Sequence, residues 1–180
     1  MKKALLIAGA PGTGKTTIMK KVMEMYDGWE QNELAPLVQA MVADKAPTVI
    51  GIYGGDEVFQ GTDRLSMAVQ PEFRKWVESS DVDILLEGDR LVSSSNIDFL
   101  IEKGYTVKVI VLDVSMDTRN KRYEERGSNQ DPTWLASKET KVSKIASRMD
   151  MLMDGSLEIL PHETPADTEL LAQAIYNFFV

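Results

Sequence analysis

The chain has 180 residues, 28 of them acidic against 20 basic, and a net charge of −8. It has no cysteine, which excludes a disulfide framework, a thiol nucleophile and cysteine metal sites, and its acidic balance disfavours broad adhesion to DNA or anionic membranes. No run approaches the roughly 18 apolar residues of a membrane span, and the segment after Met1-Lys2-Lys3 is too short for a signal-peptide core, so a cytoplasmic protein of one domain, residues 1–180, is expected.

In chain order, Ala4-Leu5-Leu6-Ile7-Ala8 reads as a buried parallel strand. Residues 9 to 16, Gly-Ala-Pro-Gly-Thr-Gly-Lys-Thr, then complete the pattern G-x-x-x-x-G-K-[ST]. Thr16 to Tyr26 has helical spacing at Ile18, Val22, Met25 and Tyr26. Residues 28–45 are expected to form a loop and a short helix around Leu34, Leu37, Val38 and Met41. A β-branched strand over 47–53 empties into the polar loop 54–64. A helix over 66–79, a strand over 83–87 and a helix over 96–103 follow. Next come a strand over 106–112 and a helix over 116–126. A loop over 127–132, a helix over 140–153 and a short strand over 157–160 complete the middle of the chain. Thr164-Pro165-Ala166-Asp167 is a helix start with Thr as N-cap, Pro at the first helical position and an acid three residues after the cap. Strands alternating with helices predict a three-layer α/β fold: a five-stranded parallel sheet, helices on both faces and a small lid near 127–140.

The glycine pattern supplies chemistry as well as shape. Its glycines let successive N–H groups converge on a phosphate, Lys15 reaches the β/γ oxygens, and Thr16 offers a hydroxyl to Mg²⁺. Gly9, Ala10, Pro11, Gly12, Thr13, Gly14, Lys15, Thr16 and Thr17 are therefore expected to bind ATP. Glu87 ends an apolar strand, where a carboxylate can hold Mg²⁺ or accept a proton. Asp63 and Asp89 are candidates for the base that takes the acceptor's proton, and Asp56 competes for that role. Arg64 and Arg90 are candidate acceptor contacts. Arg119, Arg122 and Arg126 lie along one helical face. From Arg119 to Arg148 there are eight cations and four anions, a balance of +4 that leaves −12 in the rest. Arg119 and Arg122 are expected at the nucleotide, with Arg122 and Arg126 meeting the transferring phosphoryl group. Lys138 and Lys141 extend this basic surface beside Trp134, and His162 is expected at the surface or in a cap.

Gly-x-Pro-Gly-x-Gly-Lys-Thr-Thr, Glu-Gly-Asp-Arg at 87–90, Arg-x-x-Arg-x-x-x-Arg and Thr-Pro-Ala-Asp together resemble the small P-loop kinases, a group with nucleoside monophosphate and polynucleotide kinases. Adenylate kinases usually carry Gly directly after the loop Lys, so Thr16-Thr17 is closer to polynucleotide and small-metabolite kinases. Within the group, Gly61-Thr62-Asp63-Arg64-Leu65-Ser66, the 87–90 turn and Thr140-Lys141 resemble phage 5-hydroxymethyluracil DNA kinases. That resemblance implies phosphorylation of the hydroxymethyl group of a modified pyrimidine in DNA, in the host cytoplasm, with Tyr53, Phe59 and Trp134 available for stacking. The alternative acceptor is a free nucleoside, nucleotide or other small metabolite. A P-loop ATPase is disfavoured because its strand usually ends in Asp or Asp-Glu rather than Glu-Gly-Asp.

Overall fold

The apolar run after Lys3 becomes an interior strand of a seven-stranded sheet, and its alternating side chains feed two separate cores. The computed structural model describes residues 1–55, 59–127 and 130–180. The elements in order are β1 (Lys3–Ala8), α1 (Lys15–Met23), β2 (Glu30–Ala35), β3 (Val38–Val42), β4 (Thr48–Ile50), α2 (Val69–Glu78) and β5 (Ile84–Glu87). They continue with α3 (Ser94–Glu102), β6 (Thr106–Asp113), α4 (Met116–Glu125), α5 (Pro132–Ala146), α6 (Met149–Asp154), β7 (Leu157–Pro161) and α7 (Pro165–Phe179). A single 3-10 turn at Thr62–Arg64 precedes α2.

The sheet order is β2-β3-β4-β5-β1-β6-β7. From β4 through β7 neighbouring strands are parallel, whereas β3 is antiparallel to both β2 and β4. Because side chains alternate across a strand, Ala4, Leu6 and Ala8 pack on one face with Phe73 and Val77 of α2 and Ile97 and Leu100 of α3. Leu5 and Ile7 pack on the other with Ile18 and Val22 of α1 and Ala172 and Ile175 of α7. Each such Leu, Ile or Phe contributes about 1.5–3 kcal/mol by leaving water.

Two expectations are corrected. The sheet has seven strands rather than five, because residues 30–42 form a hairpin and not a loop with a short helix. β2 is an edge strand whose Glu30, Gln31, Asn32 and Glu33 are all exposed, so no apolar alternation marks it. The helix expected over 140–153 is two helices: α5 starts at Pro132, capped by Asp131, and the chain turns at Ser147 and Arg148 into α6. The segment expected as a lid loop is thus helical from Pro132. Among the described residues no helix is long and apolar enough to cross a membrane. Parallel strands bring the ends of β1, β4 and β5 to one rim of the sheet, where ligands bind in open α/β sheets.

Candidate active site

The loop between β1 and α1 wraps the start of the helix, and its Thr13 N–H closes a turn on Ala10 O at 3.3 Å. Gly12 and Gly14 take φ of 81° and 88°, the left-handed region that glycine tolerates. A Cβ on Gly14 would lie 2.4 Å from His162 Cε1, so bulk is excluded there as well. Gly14 is the N-cap of α1 and makes no side-chain cap bond, which leaves the first-turn N–H groups for an anion. The loop carbonyls are all engaged elsewhere. Lys15 Nζ donates to Gly9 O (2.7 Å) and Ala10 O (3.3 Å). Tyr123 Oη donates to Pro11 O (2.5 Å), and Arg122 Nη1 to Gly12 O (2.9 Å). His162 Nδ1 meets Thr13 O at 2.6 Å. Ala10 and Thr13 are buried, while Thr16 and Thr17 border the cleft. Burial lowers the Lys15 pKa, opposed by the negative charges of Glu87, Asp63 and Asp89.

Glu87 ends β5 at 1% exposure. Its Oε1 accepts from Tyr53 Oη (3.2 Å) and Thr16 Oγ1 (3.5 Å). Gly61 presses on the same oxygen, since a Cβ there would lie 2.2 Å away. Burial pushes the Glu87 pKa up to about 7, with Lys15 opposing the shift. Tyr53 is thus a buried partner of Glu87 and not a stacking surface, and burial raises its own pKa well above the usual range. Asp63 borders the cleft and accepts from Arg90 N–H (3.2 Å), while Arg90 Nη1 donates to Leu65 O (2.5 Å). Arg64 donates instead to Gly54 O (3.1 Å) and does not line the cleft. Asp89 pairs with Lys138 and Lys141 of α5, and Lys141 also donates to its backbone carbonyl (2.6 Å). Asp56 lies outside the described residues.

The three arginines of the α4 segment diverge. Arg126, at the C-cap of α4, lines the cleft with its Nε donating to Arg122 O (3.2 Å). Arg122 also lines it, but its two terminal nitrogens donate to Gly12 O and to His162 O (2.9 Å). Arg119 is not brought to the nucleotide loop: it is buried against α5, paired with Glu139 at 2.8 Å. Spacing along a helix sets a side chain's direction, but the neighbouring α5 decides where the long guanidinium goes. His162 is no surface residue. It is 3% exposed, and its Nε2 lies 2.7 Å from Thr168 Oγ1. Tyr123 carries no motif, and for His162 the only signal was the place of the loop 161–165 after the last strand, which allowed packing beside the nucleotide but gave no contact with the phosphate loop.

The loop, Asp63, Glu87, Asp89, Arg122, Arg126 and His162 line a cavity of about 980 Å³. In the same lining, Phe59 meets Trp134 edge-on with ring centroids 6.2 Å apart, and Lys138 lies 5.2 Å from the centre of the Trp134 ring. Among the described residues no cluster of three or more acids or histidines could hold a metal by itself. Mg²⁺ in phosphoryl-transfer sites needs only one or two protein ligands, the rest being phosphate oxygens and waters. Thr16 Oγ1 beside Glu87 Oε1 fits that demand, and a buried carboxyl whose pKa has risen to about 7 is one that a divalent cation would hold ionised.

A glycine loop between an interior parallel strand and its helix, with a lysine, a threonine and a facing carboxylate, defines a nucleotide-binding P-loop protein. The chain belongs to the family P-loop Nucleotide Kinase3, whose model matches residues 1–161. It is therefore a kinase, a phosphotransferase enzyme that uses a nucleotide. No curated protein matches the sequence significantly. Similar solved structures include a sugar kinase from Janibacter sp., at 14% identity over 98% of this chain and 94% of that one, TM-score 0.49. A gluconokinase from Sinorhizobium meliloti has 14% identity over 98% and 97% of the two chains, TM-score 0.46. A shikimate kinase from Bacteroides thetaiotaomicron has 15% identity over 98% and 97%, TM-score 0.40.

Proposed function

We propose that the protein moves the γ-phosphoryl group of ATP to an alcohol carried on a flat heterocycle, and that this alcohol is the 5-hydroxymethyl group of hydroxymethyluracil in phage DNA. The observation that carries this reading is the cleft itself: Lys15, Glu87 and Asp63 border it together with the aromatic rings of Phe59 and Trp134. A volume of about 980 Å³ lies at the top of the range of about 300–1,000 Å³ for ligand pockets, room for a donor and an acceptor together. Base–aromatic stacking contributes about 1–3 kcal/mol per base, enough to hold an extruded pyrimidine.

In this mechanism the acceptor oxygen attacks Pγ, the new O–Pγ bond forms as the bond from Pγ to the β,γ-bridging oxygen breaks, and ADP leaves. Asp63 takes the hydroxyl proton. Asp89 is the less suitable base because two lysines already share its charge. Lys15 and the loop N–H groups neutralise the β/γ oxygens, and Arg126 meets charge on the transferring group. Thr16 and Glu87 would hold Mg²⁺, which when bound neutralises phosphate charge. Lys138, Lys141 and Arg90 also line the cleft and would meet the phosphates of the acceptor.

The net charge of −8 favours a second reading, in which the acceptor is a free nucleoside, nucleotide or other small metabolite. Labelled γ-phosphate from ATP separates the two when followed into hydroxymethyluracil DNA, with thymine DNA and free hydroxymethyl nucleotides as controls. Label in the modified DNA alone is expected. Label only in free nucleotides would install the second reading.

A further inference from the structure

We propose that Tyr123, Arg122 and His162 are positioning residues that hold the phosphate loop in its anion-binding form by gripping its carbonyls from outside. The proposal rests on the loop being the nucleotide phosphate site. The described residues contain no cis peptide, and in a planar trans peptide the C=O and the next N–H point in opposite directions. Fixing three consecutive carbonyls therefore fixes three N–H vectors. Tyr123 Oη on Pro11 O sends the Gly12 N–H the other way, and His162 Nδ1 on Thr13 O does the same for the Gly14 N–H. Arg122 on Gly12 O turns the Thr13 N–H, which closes on Ala10 O at 3.3 Å and tightens the bend.

The grip is anchored on two other elements. Thr13 O can only accept, so His162 donates to it from Nδ1, and its Nε2 lies 2.7 Å from Thr168 Oγ1 of α7. The second terminal nitrogen of Arg122 donates to His162 O, tying α4 to the segment after β7. A second observation locates the same groups: a Cβ on Gly12 would lie 2.9 Å from Tyr123 Cε1, and one on Gly14 2.4 Å from His162 Cε1. Both rings therefore lie against the loop at the two glycines, where their hydroxyl and ring nitrogen reach its carbonyls.

Removing one brace lets a carbonyl rotate toward the bound anion, which weakens phosphate binding without unfolding the chain. Calorimetric titration with inorganic pyrophosphate reads this directly, because a positioning role changes Kd whereas a purely structural one changes the binding-competent fraction. Tyr123→Phe removes a single oxygen and is expected to raise Kd about tenfold, about 1.4 kcal/mol, at unchanged stoichiometry and melting temperature. His162→Leu is expected to do the same. His162→Asn, whose amide nitrogen can sit where Nδ1 does, is expected to recover most of that loss. Unchanged Kd in Tyr123→Phe, a fall in stoichiometry alone, or no recovery with Asn overturns the proposal. If the unaltered protein itself fails to bind pyrophosphate, the phosphate-loop reading falls first.

Discussion

Lys15 sits between two demands. Its ammonium donates to two loop carbonyls, burial lowers its pKa, and the acids Glu87, Asp63 and Asp89 hold its charge in place. A buried cation so placed acts on phosphate charge in a water-poor setting, where removing one stabilising donor typically lowers kcat by about 10²–10³-fold. Lys15→Ala is expected to fall in that range while its circular dichroism stays unaltered; a folded variant with more than about a tenth of the original rate would contradict the assignment. The position of this lysine, in the loop at the head of α1, was legible because the eight-residue pattern is contiguous in the chain. Glu87 was legible as an acid ending an apolar run. Tyr53, Tyr123 and His162 were not, because each acts across a long separation: His162 reaches Thr13 149 residues away, and no local pattern encodes that meeting.

At the level of elements, the last helix was read from its first four residues and the structure agrees. Thr164 Oγ1 accepts from Asp167 N–H (3.2 Å), and Asp167 Oδ2 accepts from Thr164 N–H (3.0 Å). This capping box fixes where α7 starts, and α7 carries both Thr168 and the Ala172–Ile175 stripe against β1. Thr164→Ala should lower unfolding free energy by about 1 kcal/mol, and Thr164→Ser by much less; equal midpoints in urea for the three proteins would refute the box as a stabilising unit. α5 was misread for a physical reason. Its core contacts, Ile145 with Val142 and Ala146 beside it, lie in the half that was read, whereas the half from Pro132 rests on the Asp131 cap and on ion pairs of Lys138 with Asp89 and Glu139 with Arg119. The β2–β3 hairpin failed likewise, since its outer strand buries almost nothing.

For the molecule as a whole, Glu87 couples the site to stability. Its native pKa of about 7 lies above the ordinary carboxylate value of 4.5, so between those limits the folded state binds more protons than the unfolded one. The stability tied to this carboxyl is fully present below pH 4.5 and is lost as pH rises through about 7. In metal-free protein, Glu87→Gln should therefore gain stability relative to the unaltered chain between pH 5 and pH 8. A difference in unfolding free energy that stays flat across that window would sink the claim.

The edge of the sheet has a consequence of another kind. β2 presents an unpaired row of backbone donors and acceptors to solvent, the usual template for joining a strand from a second molecule. Glu30 and Glu33 stand on that row, and at neutral pH they add to a protein that is already −8. Colloidal repulsion guards the edge. As acidity approaches the isoelectric point near 4.8, that guard disappears while the two cores remain, so clouding of a solution of folded protein should precede its denaturation.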